Sequence, residues 1–458
     1  MMFRKSIGLV WLLGIINIPF FSDAQTTRPN ILIIMTDQQT ADAMSIAGNK
    51  DLYTPAMDKL AQNGVRFTKA YCAQPLCTPS RTALMSGKMP FETGFTGNAP
   101  EKDGQWPDDL LMMGKIFQNG GYKTGYVGKW HLPVPSAKKS QHGFEYIENT
   151  SFQDYNDAAT PSFCARFIKE NKNTPFLLVA SFLNPHDICE WARNEDLKMD
   201  VLEKAPPADQ CPQLPANWKI PDYEPKIVRD QQKVSFRTYP TVNWTADQWR
   251  QYRWAYNRLV EKVDSYIEMV LASLKKYNIE KNTIIIFTAD HGDGYAGHSW
   301  NQKQILYEES AKIPFIISKI GEWKPCTDNL LVCNGTDVIP TICGFTEIPK
   351  PKYLKGIDLS KRITNPSENL RDTLVIETDF ADNEELLNIS GRAVITQNLK
   401  YIVYNKGDLK EQLFDLSTDP GEITNLAVNK AYKKDLMAMR RYLKKWCREN
   451  GDSFQSGL

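Results

Sequence analysis

Apolar residues in this chain fall into short continuous runs rather than an alternating pattern. Ile31-Leu32-Ile33-Ile34-Met35 is too short for a helix and shows no polar face. Such a run predicts a strand buried on both sides, as in a parallel sheet. Similar runs cover 122–127, 176–182 and 283–288. Between them the period changes. Thr54-Pro55 predicts a helix with Thr54 as N-cap and Pro55 in the first position, ended by Gly64. Trp249, Tyr252, Tyr256, Leu259, Val263, Tyr266, Ile267, Val270 and Leu274 keep helical spacing and predict one long helix. Strands alternating with helices predict an α/β fold, a large mostly parallel sheet flanked by helices.

The pattern breaks in two places. Pro206, Pro207, Pro212, Pro215, Pro221 and Pro225 crowd the stretch 190–240, which predicts an irregular excursion over the surface. From about residue 370 the strand-like runs become short, at 373–376, 392–395, 401–404 and 413–416. A turn at Lys406-Gly407 separates two of them, and a basic amphipathic helix over 431–447 closes the chain. This texture predicts a smaller α+β subdomain over 370–458, an antiparallel sheet plus a terminal helix, after a main domain over 25–369. The first residues read differently. Arg4 and Lys5 precede an apolar run over 6–21, and Ser22-Asp23-Ala24 follows. That order predicts a signal peptide over 1–24 and export to the periplasm or medium. The run is shorter than the ~20 residues of a membrane span, so an integral membrane protein is not expected.

Charge and cysteine content narrow the classes. The 458 residues carry 55 basic and 54 acidic side chains, a net charge of +1. Nothing in that balance calls for a nucleic-acid partner. Nine cysteines is an odd number, so at least one stays outside any intrachain disulfide. Cys326 and Cys333 are close enough in sequence to suggest a pair.

Polar, ionisable residues follow each buried run. Asp37-Gln38 follows the first, Lys129-Trp130-His131 the second, His186 the third, and Asp290-His291 the fourth. Ligands of open α/β sheets bind beyond the carboxyl ends of strands. Three of the chain's five histidines sit at these ends, and His298 follows soon after one. Cys77 precedes Pro79 at the start of a predicted helix ending near Gly87, where unpaired N–H groups favour anions. On spacing alone Cys77 could be a structural thiol, half of a disulfide, or a nucleophile.

Residues Cys77-Thr78-Pro79-Ser80-Arg81 through Gly87 match the pattern C-x-P-S-R-x-x-x-x-x-G. The chain resembles the type I, formylglycine-dependent sulfatases of the alkaline phosphatase-like superfamily. Further blocks are similar and in order: Asp37-Gln38, Gly128-Lys129-Trp130-His131, Asn184-Pro185-His186, Asp290-His291-Gly292-Asp293 through His298 to Lys303, and 413–422. The resemblance implies that a separate maturation enzyme oxidises Cys77 to formylglycine (3-oxoalanine). Its hydrate has two hydroxyls: one takes the sulfo group, and the other loses its proton to release sulfate. It also implies a divalent cation, calcium or alternatively magnesium, held by Asp37, Gln38, Asp290, His291 and residue 77. Many relatives carry a second Asp at position 38 and Asn at position 291. Gln38 still offers a carbonyl oxygen, whereas the nitrogen of His291 suits calcium less well.

The remaining roles carry over by position. Arg81 steadies residue 77. Lys129 and Lys303 bind sulfate. His131 assists elimination, and His186 meets the leaving oxygen as an acid. His298 is a candidate substrate contact, and Trp191, Arg193, Trp218, Arg229 and Arg237 are candidates for the pocket wall. The implied substrate is a sulfated carbohydrate, as ester or sulfamate, from a glycosaminoglycan, mucin or algal glycan. The rival expectations are a phosphatase or phosphonate hydrolase of the same superfamily and a non-catalytic receptor for sulfated glycans.

Overall fold

The computed structural model describes residues 28–99, 104–150, 155–197, 202–235, 237–382 and 385–454. The expected signal peptide over 1–24 lies outside the described residues. Eight strands form the main sheet: β1 (Asn30–Asp37), β2 (Gly64–Tyr71), β3 (Lys123–Gly128), β4 (Tyr146–Glu148), β5 (Phe176–Pro185), β6 (Thr283–Ala289), β7 (Phe315–Ser318) and β8 (Cys326–Cys333). Their order is β4-β3-β5-β1-β6-β7-β2-β8. Neighbours are parallel except where β7 runs antiparallel to β6 and β2.

β1 shows why a continuous apolar run was needed. Ile31, Ile33 and Met35 enter one hydrophobic cluster, and Leu32 and Ile34 enter the other. Side chains alternate across a strand, so both faces must be apolar when helices cover both. The first face is covered by helices that include Cys77–Ser86, Met113–Asn119 and Asn334–Thr346, and the second by Pro55–Gln62, Thr160–Asn171 and Ala246–Lys276. The last is the expected long helix. Thr245 caps it, and its side chain exchanges bonds with Gln248 in a capping box.

Several local expectations are corrected. Gly64 is the first residue of β2, not only the end of the preceding helix. A Cβ there would stand 2.2 Å from the carbonyl oxygen of Ile317 on β7, so the close pairing of these strands requires glycine. Cys326 and Cys333 occupy opposite ends of β8. Seven residue steps along the strand separate them by roughly 23 Å, beyond the reach of a disulfide. The stretch 190–240 is less irregular than its prolines imply, because Lys226–Val234 forms a helix.

The second sheet is antiparallel, in the order β12-β11-β10-β9, from β9 (Leu374–Asp382), β10 (Glu385–Ile395), β11 (Leu399–Tyr404) and β12 (Glu411–Asp415). The terminal helix Lys433–Asn450 packs Leu436, Met439, Leu443 and Cys447 against Val375, Val394, Tyr401, Val403 and Leu413. No helix among the described residues is long and apolar enough to cross a membrane.

Candidate functional site

β3, β5, β1 and β6 are consecutive in the main sheet, so their carboxyl ends lie side by side. They carry Lys129 and His131, His186, Asp37 and Gln38, and Asp290 and His291 in that order. Gly128 ends β3 with φ of 102°, and a Cβ there would lie 1.8 Å from the carbonyl oxygen of Ser181 on β5. Glycine therefore lets the chain turn tightly and deliver Lys129 over the rim.

Cys77 reaches the same point from the start of a helix packed on one face of the sheet. Its helix starts at Cys77 itself, after Leu76 in extended conformation, rather than at Pro79. The earlier start costs little, because the first four N–H groups of a helix have no intrahelical partner and Pro79 falls among them. The Ser80 N–H closes the first turn onto the Leu76 carbonyl at 3.0 Å.

The Cys77 sulfur is the centre of the cluster. Lys303 Nζ lies 3.0 Å away and His291 Nε2 3.2 Å away. Lys129 Nζ and Asp37 Oδ1 are each at 3.9 Å. His131 and His186 are also close enough for the Cys77 thiolate to favour their protonated forms. Burial alone would push the thiol pKa up, but Lys129, Lys303 and His291 hold it well below its usual value. Residue 77 is therefore set to carry negative charge.

Arg81 joins the two carboxylates beneath. Its Nε donates to Asp290 Oδ2 at 2.8 Å and its Nη2 to Asp37 Oδ2 at 2.7 Å. Nη1 donates to the Lys129 carbonyl and to Ser181 Oγ, both at 2.9 Å. Lys129 Nζ also pairs with Asp37 Oδ2 at 2.6 Å. Burial and Cys77 oppose the charge on Asp37, yet Lys129 and Arg81 hold its pKa well below the ordinary range. Asp290 has less cationic support, so burial and the neighbouring Asp37 raise its pKa to about 6.

The histidines divide by environment. Burial, then Lys129 and Lys303, push His186 down to about 4, and its Nδ1 lies 3.9 Å from Glu190. Burial lowers His131 as well. His291 moves the other way, because Asp290 and Cys77 outweigh its burial.

One ligand atom from each of Asp37, Cys77, Asp290 and His291 lies within 4.8 Å of the others. Two buried carboxylates converging this closely fit a divalent cation. Gln38, in left-handed conformation with φ of 66°, sits beside them. Its Oε1 accepts from Lys303 Nζ at 2.9 Å, and its Nε2 donates to Asp293 Oδ2 at 2.8 Å.

Of the residues singled out in the sequence, His298 is set apart from this group. It is fully buried, stacked on Tyr307 at 3.9 Å, with its Nε2 3.8 Å from Glu309. Arg229 is occupied by both carboxylate oxygens of Glu224 and by the His298 carbonyl. Trp191 packs on Trp244 and Tyr252. Other groups at the centre gave less signal. Tyr252 and Tyr256 fit the helical pattern as core residues, but their hydroxyls donate to Asp293 and to the Gln38 carbonyl. Ser80 Oγ donates to the Asp290 carbonyl. Cys189 Sγ lies 3.4 Å from Gln38 Oε1.

Comparison with known proteins bears on this arrangement. The family model described as Sulfatase matches residues 29–348. A model described as N-sulphoglucosamine sulphohydrolase, C-terminal, matches 296–449. A Delta 4,5-hexuronate-2-O-sulfatase of Bacteroides thetaiotaomicron is 30% identical, over 94% of this chain and 91% of the relative. An ulvan-active sulfatase of Formosa agariphila is also 30% identical, over 94% of this chain and 83% of the relative. The solved structure of a 2-O GAG sulfatase superposes with a TM-score of 0.81 at 29% identity, covering 93% of each chain.

Proposed function

The chain belongs to the sulfatase family and is a sulfuric ester hydrolase, and from that premise we propose that it desulfates a sulfated carbohydrate using residue 77 as formylglycine hydrate. The observation that carries this reading is the set of groups around the residue 77 side chain: Lys303 at 3.0 Å, His291 at 3.2 Å, and Lys129 and Asp37 each at 3.9 Å. A simple structural thiol would have no use for four polar partners in a buried pocket.

The hydrate places two hydroxyls on one carbon, one to accept the sulfo group and one whose deprotonation frees sulfate. Lys129 and Lys303 hold the sulfo oxygens by charge-assisted hydrogen bonds. His186, whose proton affinity rises once an anionic sulfo group offsets Lys129 and Lys303, donates a proton to the sugar oxygen as the ester S–O bond breaks. His131 accepts the proton of the second hydroxyl when sulfate departs. Arg81 fixes Asp37 and Asp290, which with Gln38, His291 and residue 77 would hold a divalent cation such as calcium. Such an ion offsets negative charge that builds on the sulfo oxygens.

Relatives named for a hexuronate 2-O-sulfate and for ulvan support this substrate class. A glycosaminoglycan or a similar sulfated polysaccharide fragment is the expected substrate, and the maturation enzyme is the expected protein partner. The main and C-terminal units meet near residue 370 in this reading, and the chain acts after export.

Mass spectrometry of the peptide spanning Cys77, from protein co-produced with a maturation enzyme, tests the nucleophile. A mass lower than the thiol by the difference between CH2SH and CHO is expected. Matched sulfate and phosphate esters of one sugar then test the reaction, with sulfate turned over faster. Full sulfatase activity with an intact thiol would overturn the mechanism, and faster phosphate cleavage would favour the phosphatase alternative. Binding of sulfated sugars without turnover by converted protein would favour a receptor.

A further inference from the structure

Asp293 lies outside the set of groups that touch residue 77, yet its carboxylate is fully buried and collects donors from several elements. Oδ1 accepts from the Tyr295 N–H at 2.7 Å. Oδ2 accepts from Gln38 Nε2 at 2.8 Å and from the Gln302 N–H at 3.0 Å. Tyr252 Oη lies 2.8 Å from both oxygens. A buried carboxylate is costly to place, and this one sits at a junction between Gln38 and the loop that carries Lys303.

The amide of Gln38 has an acceptor end and a donor end of nearly the same shape. Its Oε1 faces Lys303 Nζ at 2.9 Å, and that ammonium is 3.0 Å from the Cys77 sulfur. Turning the amide over would put an NH2 against an ammonium and a carbonyl oxygen against a carboxylate. Both contacts would be repulsive. Lys303 at one end and Asp293 at the other therefore select which end of Gln38 points toward the centre, and Asp293 is the one that holds the donor end outward.

The same carboxylate braces the loop after it. Tyr295, Ala296, His298, Ser299, Gln302 and Gln304 all have positive φ, an arrangement that costs each of them conformational energy. Asp293 takes the N–H groups of Tyr295 and Gln302 from opposite ends of that loop. Lys303 follows directly.

We propose that Asp293 is a positioning residue that orients Gln38 carbonyl-inward, so that a neutral glutamine can serve as a cation ligand. This rests on the reading of Gln38 as a ligand. It explains how the site tolerates an amide where a symmetric carboxylate would need no orientation: the negative charge sits one residue further out, and reaches the centre through the amide.

Calorimetric titration of Ca2+ into metal-stripped, formylglycine-bearing protein tests this. Asp293→Asn keeps the shape and removes the charge, and its Ca2+ affinity is expected to fall about 10- to 100-fold. Gln38→Glu with Asp293→Asn exchanges the charge between the two positions and is expected to recover at least ~10-fold of that loss. Gln38→Glu alone sets two carboxylates against each other and should bind more weakly than the double variant. This comparison holds even if Asp293→Asn alone is too unstable to titrate. Gln38→Leu separates the two levels. If it binds Ca2+ like the wild type, the ligand reading itself fails. If it binds weakly while Asp293→Asn binds normally, or the exchange recovers nothing, only the orienting role of Asp293 is overturned.

Discussion

Every nitrogen of Arg81 has a partner inside the protein, and none of its side chain reaches solvent. Its planar fork spans two carboxylates that would otherwise repel each other in a buried pocket. A lysine is a point donor and cannot reach Asp37, Asp290, the Lys129 carbonyl and Ser181 together. Arg81→Lys should therefore destabilise the fold by about 3–5 kcal/mol, the range for breaking a buried ion pair. Urea unfolding measures this, and a loss under about 1 kcal/mol would mean that another group takes over the carboxylates. The sequence motif places Arg81 beside residue 77 but says nothing of what it holds. Asp37 and Asp290 are equally opaque as letters, since each simply ends a buried strand. Their opposite pKa shifts come from Lys129, which pairs with one of them and arrives from a different strand. The sequence revealed which residues gather at the rim, because strand ends are local. It did not reveal which residue neutralises which, because that depends on the strand order.

The helix Pro55–Gln62 makes the same point for a whole element. Its start was readable from Thr54-Pro55, and Pro55 does occupy the first position. Thr54 does not cap it with its side chain, however; the hydroxyl accepts from the Ser45 N–H at 2.9 Å instead. The capping acceptor is Asp264, on the long helix Ala246–Lys276, which takes the N–H groups of Ala56 and Met57 at 3.0 and 2.9 Å. A cap supplied from more than two hundred residues away has no local signature. Burial raises the Asp264 pKa to about 6, only partly opposed by the two N–H bonds. The folded value thus exceeds the unfolded one, near 3.9. Below about pH 4 the group is protonated in both states and this penalty is absent. Between about pH 4 and pH 6 the folded protein keeps a proton that the unfolded chain has released, so stability falls as pH rises. The fall amounts to at most about 3 kcal/mol and levels off above pH 6. Asp264→Asn keeps one acceptor for the helix and cannot titrate. Because Asp290 titrates in the same window, the step in its urea stability should shrink by the Asp264 contribution rather than vanish, and an unchanged pH profile would show that Asp264 does not titrate there.

At the scale of the whole chain, the change of texture near residue 370 was visible, but not how tightly the two sheets are joined. One hydrophobic cluster contains Tyr71, Ala73, Ala83 and Tyr307 from the main part and Leu374, Ile376, Phe380, Ala393, Ile395, Ile402 and Phe414 from the second sheet. The backbone N–H of Glu377 on β9 donates to the Ala73 carbonyl at 2.9 Å, close in sequence to Cys77. The Ala381 N–H donates at 2.8 Å to Oε1 of Gln304, the residue after Lys303. Lys400 on β11 is fully buried and places its ammonium 2.9 Å from both Glu308 and Glu422. Glu422 in turn accepts the Glu308 N–H at 2.7 Å. Removing the second sheet would strip this cluster of more than a third of its buried members and take away the nearer of Glu308's two cations, leaving only Lys312 at 3.7 Å. A fragment ending at residue 369 is therefore expected not to fold, although its own sheet would be complete. Lys400→Met is the gentler version, because it keeps the stem and removes only the charge. It should lower stability by about 3–5 kcal/mol and reduce sulfatase turnover, since β9 braces the residue beside Lys303. Calorimetry of the intact chain should give one cooperative transition reporting both sheets. Two separate transitions, with the first leaving sulfatase activity intact, would show instead that the second sheet is an independent unit and that Lys303 is held in place without it.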